Sequence, residues 1–186
     1  MKKPVPERAR DLNEAITAAA VELVSEQGLT GVAMSHVAER AGITRATLYK
    51  YFPDVRAILS AWQERRVGEN LVALREARDS ADSPGERLAR MLETFAVMVY
   101  HQHTPELVVL LNSTEHASRG YAEFVKMLRD VIAEGARRGM FRDDIPASEL
   151  ASFCSNALAA ASSVSSAAAA RRFARVAVDA LTSSRS

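Results

Sequence analysis

Residues 33–52 read Ala-Met-Ser-His-Val-Ala-Glu-Arg-Ala-Gly-Ile-Thr-Arg-Ala-Thr-Leu-Tyr-Lys-Tyr-Phe. Val37, Ala38 and Ala41 make a short helix that ends at Gly42, which can take the left-handed backbone that a tight interhelical turn needs. Ile43 fills the corner, Thr44 is placed to N-cap, and a second short helix runs from about Arg45 to Tyr51. Two short helices joined by a glycine turn form a helix-turn-helix. At 100° per residue, Leu48, Tyr51 and Phe52 fall on the buried side of the second helix, while Arg45, Ala46, Tyr49 and Lys50 fall on the opposite arc and Thr47 on a flank. A small residue beside an Arg, a Tyr and a Lys suits close approach to a DNA major groove. Arginine reads guanine bidentately, and Lys, Tyr and Thr bind phosphate.

Outward from this stretch the spacing is helical almost everywhere. Leu12, Ile16, Ala19 and Leu23 form a first stripe, stopped at Gly28. After Pro53 and Asp54 a longer helix carries Val55, Ile58, Leu59, Trp62, Val67, Leu71 and Leu74. Ser83-Pro84-Gly85-Glu86 is a capping box opening a helix with Leu88, Met91, Leu92, Phe95 and Met98. Thr104-Pro105 precedes an apolar run from Leu107 to Leu111. A further helix carries Tyr121, Phe124, Leu128 and Ile132 and ends near Gly139; two more follow Pro146 and end the chain. No segment alternates with period two for long. The fold class is all-α, with about nine helices: a helix-turn-helix unit over residues 1–53 and a larger helical body over 54–186.

Composition agrees. The 186 residues include 33 alanines but only 8 Gly and 6 Pro, and the net charge is +1. The basic excess is local: residues 1–10 carry +3, 11–28 carry −4 and 29–66 carry +3. The tail residues Lys2, Lys3, Arg8 and Arg10 are placed to reach an adjacent groove or to lie solvated. Cys154 is alone, which excludes an internal disulfide and fits a small core residue. The stretch 150–170 has no charge, but its six serines and many alanines give it little drive into a membrane. The start lacks the apolar core of a signal peptide, so a cytoplasmic protein is expected. His101-x-His103 and Glu115-His116 invite a metal reading, but residues two apart on a helix diverge. With no phosphate loop or dinucleotide fingerprint, neither enzyme, metal nor cofactor is expected.

Residues 8–60, with Gly28-Leu29-Thr30, Val37-Ala38, Ala41-Gly42-Ile43-Thr44, Thr47-Leu48-Tyr49 and Tyr51-Phe52-Pro53, resemble the N-terminal region of the tetracycline-repressor (TetR) family. The resemblance implies a homodimeric transcription regulator, usually a repressor, that binds a pseudo-palindromic DNA operator and is released by a small-molecule effector. It places Arg45, Ala46, Thr47, Tyr49 and Tyr51 at DNA, to which the wheel adds Lys50 and the cap adds Thr44. Two positions depart from the family. Val55 stands where a phosphate-contacting lysine is common, shifting that contact to Arg56, and Ala33 replaces a Ser or Thr, leaving Ser35 or Thr30 to supply a hydroxyl.

Within the body, Trp62, Met91, Phe95, Met98, Tyr121 and Phe124 are candidates to line an effector pocket, or else to pack the core. Leu150, Phe153, Ala157, Leu158 and Ala161, with Phe173, Val176, Ala177, Ala180 and Leu181, are candidates for a four-helix dimer interface, or again for the chain's own core. The competing reading is a helical protein-interaction adaptor whose Arg45–Lys50 face is merely solvated.

Overall fold

The computed structural model describes residues 7–101 and 115–182, with side chains from Asp11 onward. The side chains of Lys2, Lys3, Arg8 and Arg10, and the segment holding His103, Leu107 to Leu111 and Asn112, lie outside this range. All regular structure among the described residues is helical: α1 (Glu7–Gln27), α2 (Met34–Arg40), α3 (Arg45–Tyr51), α4 (Val55–Asp79), α5 (Pro84–Tyr100), α6 (Glu115–Arg137), α7 (Ala147–Ala159) and α8 (Ala167–Leu181), with single 3₁₀ turns at Leu29–Gly31 and Ala160–Ser163. No helix among them is long and apolar enough to cross a membrane.

Two compact units divide the chain inside α4, after Arg66. In the first, Ile16, Ala19, Ala20 and Leu23 of α1 meet Met34, Val37 and Ala38 of α2, Leu48 of α3 and Ile58 of α4. Gly28 and Gly42 have φ of 74° and 67°, the left-handed backbone that only glycine adopts without strain. At Gly42 the closure is a Schellman motif: Ile43 N–H donates to the Ala38 carbonyl at 2.9 Å and Gly42 N–H to that of Glu39 at 3.1 Å. Ile43 then packs against the core. The turn and the hydrophobic corner together fix the angle between α2 and α3.

In the second unit the end of α4 joins α5 to α8. Leu88, Met91, Leu92 and Ala96 of α5 meet Phe124, Leu128, Val131 and Ile132 of α6, Leu150, Cys154 and Leu158 of α7, and Ala170, Ala174, Ala177 and Leu181 of α8. The alanines of α8 make its inner face thin, which lets its backbone approach close to its neighbours. Gly139 (φ 68°) closes α6 in a second Schellman motif, with Met140 N–H on the Gly135 carbonyl at 2.9 Å. Phe141 then folds back onto Gly135, where a Cβ would collide with its ring. Burial raises the thiol of Cys154 to a pKa of about 11, consistent with a core residue and not a nucleophile.

Ser83 caps α5, its Oγ accepting Glu86 N–H at 3.2 Å, with Pro84 at the first helical position. Ser83→Ala should therefore cost about 1 kcal/mol. Urea melts of the two proteins check this, and an unchanged midpoint would show that the cap contributes nothing.

Candidate nucleic-acid interface

Helix α3 is only seven residues long and sends one side chain, Leu48, fully into the core. Everything else on it faces out or flanks. Thr44 caps it, its Oγ1 accepting Thr47 N–H at 3.1 Å and lying 2.9 Å from the Thr47 hydroxyl. Arg45, Ala46 and Lys50 are exposed, Tyr49 is 56 % exposed, and Thr47 is half-buried.

One position needs correcting. The helical wheel puts Tyr51 with Leu48 and Phe52 on the buried side, but Tyr51 is 42 % exposed. The physical reason is that α3 ends there. Phe52 is extended (φ −138°, ψ 131°), and it is Phe52, half-buried against the core, that turns inward. Tyr51 thereby joins the outward set.

The flanking positions sit as follows. Ala33 occupies the N-cap of α2 with no side-chain hydrogen bond, and Ser35 is half-buried. His36, a position the sequence does not mark, supplies only the reciprocal half of a capping box: its Nδ1 accepts the Ala33 N–H at 3.4 Å. Asp54, which follows Pro53 at the chain break, caps α4, its Oδ1 accepting Ala57 N–H at 2.8 Å. The signal was available, since Asp just before a periodic stretch is a preferred N-cap. Val55 is half-buried against the core, and Arg56 is exposed in the first turn of α4.

Electrostatics sharpens the patch. Arg40 binds Glu26 at 3.0 Å and Glu22 at 3.3 Å, tying the end of α2 to α1, and its guanidinium holds the Glu26 carboxyl below the ordinary range. Among the described residues, Arg45, Lys50 and Arg56 have no such acidic partner. The local positive charge is thus left on the outward face around α3, where polyanion phosphates would release counterions on binding.

The body residues separate into groups. Met91 (0 % exposed) and Phe124 (1 %) are filled core positions, and the Phe124 ring stacks on half-buried Phe95 at 4.1 Å between centroids. Met98 packs at the core's edge. Trp62 belongs to the first unit, packed with Val24 and Leu59, and Arg66 lies 5.8 Å over its ring. Tyr121 is exposed, its hydroxyl 2.9 Å from Ser155 Oγ and 3.4 Å from Asn156 Oδ1. It lines a recess of about 380 Å³ between α6 and α7, with Val125, Lys126, Arg129, Ser148 and Ser152. These six candidates therefore do not converge on one cavity.

The interface candidates also divide. Leu150, Leu158, Ala161, Ala177 and Leu181 are buried within the protomer, where they pack its own core. Phe153, Phe173 and Val176 are 51 %, 40 % and 67 % exposed, and Ala157 and Ala180 are half-buried.

Comparison with known proteins agrees with this geometry. The sequence model of "Bacterial regulatory proteins, tetR family" matches residues 16–61, the span from α1 to α4 that builds the helix-turn-helix. The HTH-type transcriptional repressor NicS of Pseudomonas putida is 29 % identical over 143 residues, covering 70 % of this chain and 66 % of NicS. The HTH-type transcriptional regulator EthR of Mycobacterium tuberculosis is 35 % identical over 81 residues, covering 43 % of this chain and 38 % of EthR. The chain thus spans just under two thirds of one curated relative's length and well under half of the other's. The fold extends further: FadR of Bacillus subtilis, solved in complex with stearoyl-CoA, superposes with a TM-score of 0.71 at 18 % identity over 90 % of this chain and 98 % of that one. A matched helix-turn-helix segment and two regulator relatives agree with the geometry: residues 16–61 match the tetR family of bacterial regulatory proteins, and the fold is shared with solved FadR.

Proposed function

We propose that the protein is a sequence-specific DNA-binding transcriptional repressor that acts as a homodimer and leaves its operator when a small molecule binds the helical body. The observation that carries this reading is the outward arc of α3. Arg45, Ala46, Tyr49, Lys50 and Tyr51 are all exposed on a helix anchored from behind by Leu48. In this reading Arg45 reads a base edge in the major groove, Ala46 permits close approach, and Tyr49, Lys50, Tyr51, Thr44, Thr47, Ser35 and Arg56 hold phosphates.

One seven-residue helix reaches only a few base pairs, so a two-fold dimer must present two, about 34–36 Å apart or at a related spacing. The exposed apolar residues Phe153, Phe173 and Val176 support α7 and α8 as the contact surface. Effector release requires a ligand that binds one of two states better. Helix α4 is the covalent link that can carry that preference, because it contributes Ile58 to the first core and Leu74 to the second. The stearoyl-CoA bound by the FadR neighbour makes a long-chain acyl-CoA the first effector to try.

The test compares wild type, Arg45→Ala and Tyr49→Phe on duplexes recovered from the source genome and on shuffled controls. Arg45→Ala should lose about 10–100-fold on the selected duplex and little on the control, in line with about 1–3 kcal/mol per bidentate base contact. Tyr49→Phe should weaken both duplexes alike. Equal loss on both duplexes for Arg45→Ala would remove its base-reading role.

A further inference from the structure

Two strips of side chains border the groove between α6 and α7. Tyr121, Val125 and Arg129 repeat at helical spacing along α6, with Ala122 and Lys126 beside them, and Ser148 and Ser152 do the same on α7. Serine is small, so the α7 wall is low and a recess of about 380 Å³ stays open. That volume is at the low end of the roughly 300–1,000 Å³ of small-molecule sites. It has room for one small acid and not for a whole long-chain acyl-CoA.

The recess combines an apolar floor with an uncompensated positive charge. Val125 packs half-buried against the core, and Ala122 and the Tyr121 ring lie exposed beside it. The ring is held in place. Its hydroxyl lies 2.9 Å from the Oγ of buried Ser155, which donates to the Ser152 carbonyl at 3.0 Å. Lys126 is exposed and, among the described residues, makes no ion pair or hydrogen bond. The Ser148 hydroxyl is likewise unbonded there. Arg129 offers less, since Asp130 accepts from its Nε at 3.1 Å and from a terminal nitrogen at 2.7 Å. Ser152 gives its proton to the Ser148 carbonyl at 3.0 Å. No carboxylate lines the recess; Asp130 and Glu149 adjoin it in sequence only.

We propose that this recess binds a small organic carboxylate, its carboxyl group on the Lys126 ammonium and the Ser148 hydroxyl, its apolar body on Val125, Ala122 and the Tyr121 ring. Both polar groups donate, so an acceptor that carries negative charge suits them, and a charge-assisted hydrogen bond beside apolar surface is stronger than one in open water. A bare inorganic anion would leave the apolar floor uncovered and forgo that burial. The site lies wholly within the second compact unit and stands independently of the DNA-binding reading.

The experiment titrates the intact protein, without DNA, and follows its backbone amides by NMR. Benzoate is the probe, benzamide its uncharged counterpart and inorganic phosphate the bare anion. Benzoate should give saturable shifts centred on Val125, Lys126, Ser148 and Ser152, and should bind about ten-fold more tightly than either comparison compound. Lys126→Gln should lose about ten-fold in benzoate affinity, Lys126→Arg should keep most of it, and Ser152→Leu should abolish binding by filling the recess. Arg137→Ala removes an exposed cation from the same helix outside the recess and should bind as wild type does. All three positions are exposed in the protomer, so the helical circular dichroism signal should be unchanged in every variant. Benzoate shifts that are absent or centred elsewhere would overturn the site, as would Ser152→Leu binding like wild type. Benzamide binding as tightly as benzoate, or Lys126→Gln and Lys126→Arg behaving alike, would overturn the role of the charge. Phosphate binding as tightly as benzoate would overturn the role of the apolar floor.

Discussion

Val176→Asp should convert the proposed homodimer to a monomer and lower its affinity for a two-half-site operator by about 10²–10⁴-fold, the range lost when linked sites bind singly. The surface that would be disrupted lies on α8. Its inner face, Ala170, Ala174, Ala177 and Leu181, is buried in the protomer, and its charged residues Arg171, Arg172, Arg175 and Asp179 are exposed. Between these arcs lies a third, with Phe173 40 % and Val176 67 % exposed and Ala180 half-buried. Among the described residues nothing buries Phe173 or Val176. On α7, Phe153 is 51 % exposed, in a run from Leu150 to Ala170 without a single charge. Apolar surface of this kind, rimmed by charge, marks an interaction face, and an aspartate at its centre would be buried unpaired. Because Val176 is exposed in the protomer, the helical circular dichroism signal should survive the substitution. Sedimentation velocity reads the oligomeric state, and titration on whole and half operators reads the affinity. A Val176→Asp protein that sediments as a dimer would move the interface elsewhere.

Phe124→Ala should destabilise the protein by about 3–5 kcal/mol, the cost of deleting a fully buried aromatic ring. Phe124 is 1 % exposed, stacks on Phe95 at 4.1 Å and sits in the α6 row with Leu128, Val131 and Ile132. For a chain of this length that corresponds to a fall of roughly 6–20 °C in the thermal midpoint. Differential scanning calorimetry checks it. A loss under about 1 kcal/mol would mean that the ring borders a relaxed cavity and would return Phe124 to the set of effector-contacting residues.

Local chemistry was the part of this fold most legible in the sequence. Gly42, Thr44, Ser83 and Gly139 each do in the structure what their residue type does in a turn or cap, because the requirement is met within four or five residues of chain. The outward set on α3 was legible for the same reason, except at Tyr51. A wheel assumes an unending helix, and the chain leaves α3 at that residue. The capping roles of His36 and Asp54 are also local but went unread, one because histidine is an unusual third residue of a cap, the other because Asp54 follows a proline that already explained the break.

What depends on tertiary packing was less legible. Leu158 and Phe153 occupy the same uncharged stretch of α7 with the same apolar character, yet one is fully buried and the other half exposed. Alanine-rich α7 and α8 present a wide apolar arc, and only the positions of α5 and α6 decide which part of it remains uncovered. Likewise Met91 and Phe124 carry the side chains of a ligand pocket or of a core, and the contacts of neighbouring helices decide between them.

The central claim is that the face of α3 bearing Arg45, Tyr49, Lys50 and Tyr51 lies against duplex DNA. A salt titration of the intact protein on a recovered genomic duplex and its shuffled control tests it most directly. The account predicts that log K falls linearly with log salt on both duplexes, with the recovered one remaining about 10³-fold or more tighter throughout. Binding that ignores salt, or that fails to distinguish the two duplexes, would contradict it.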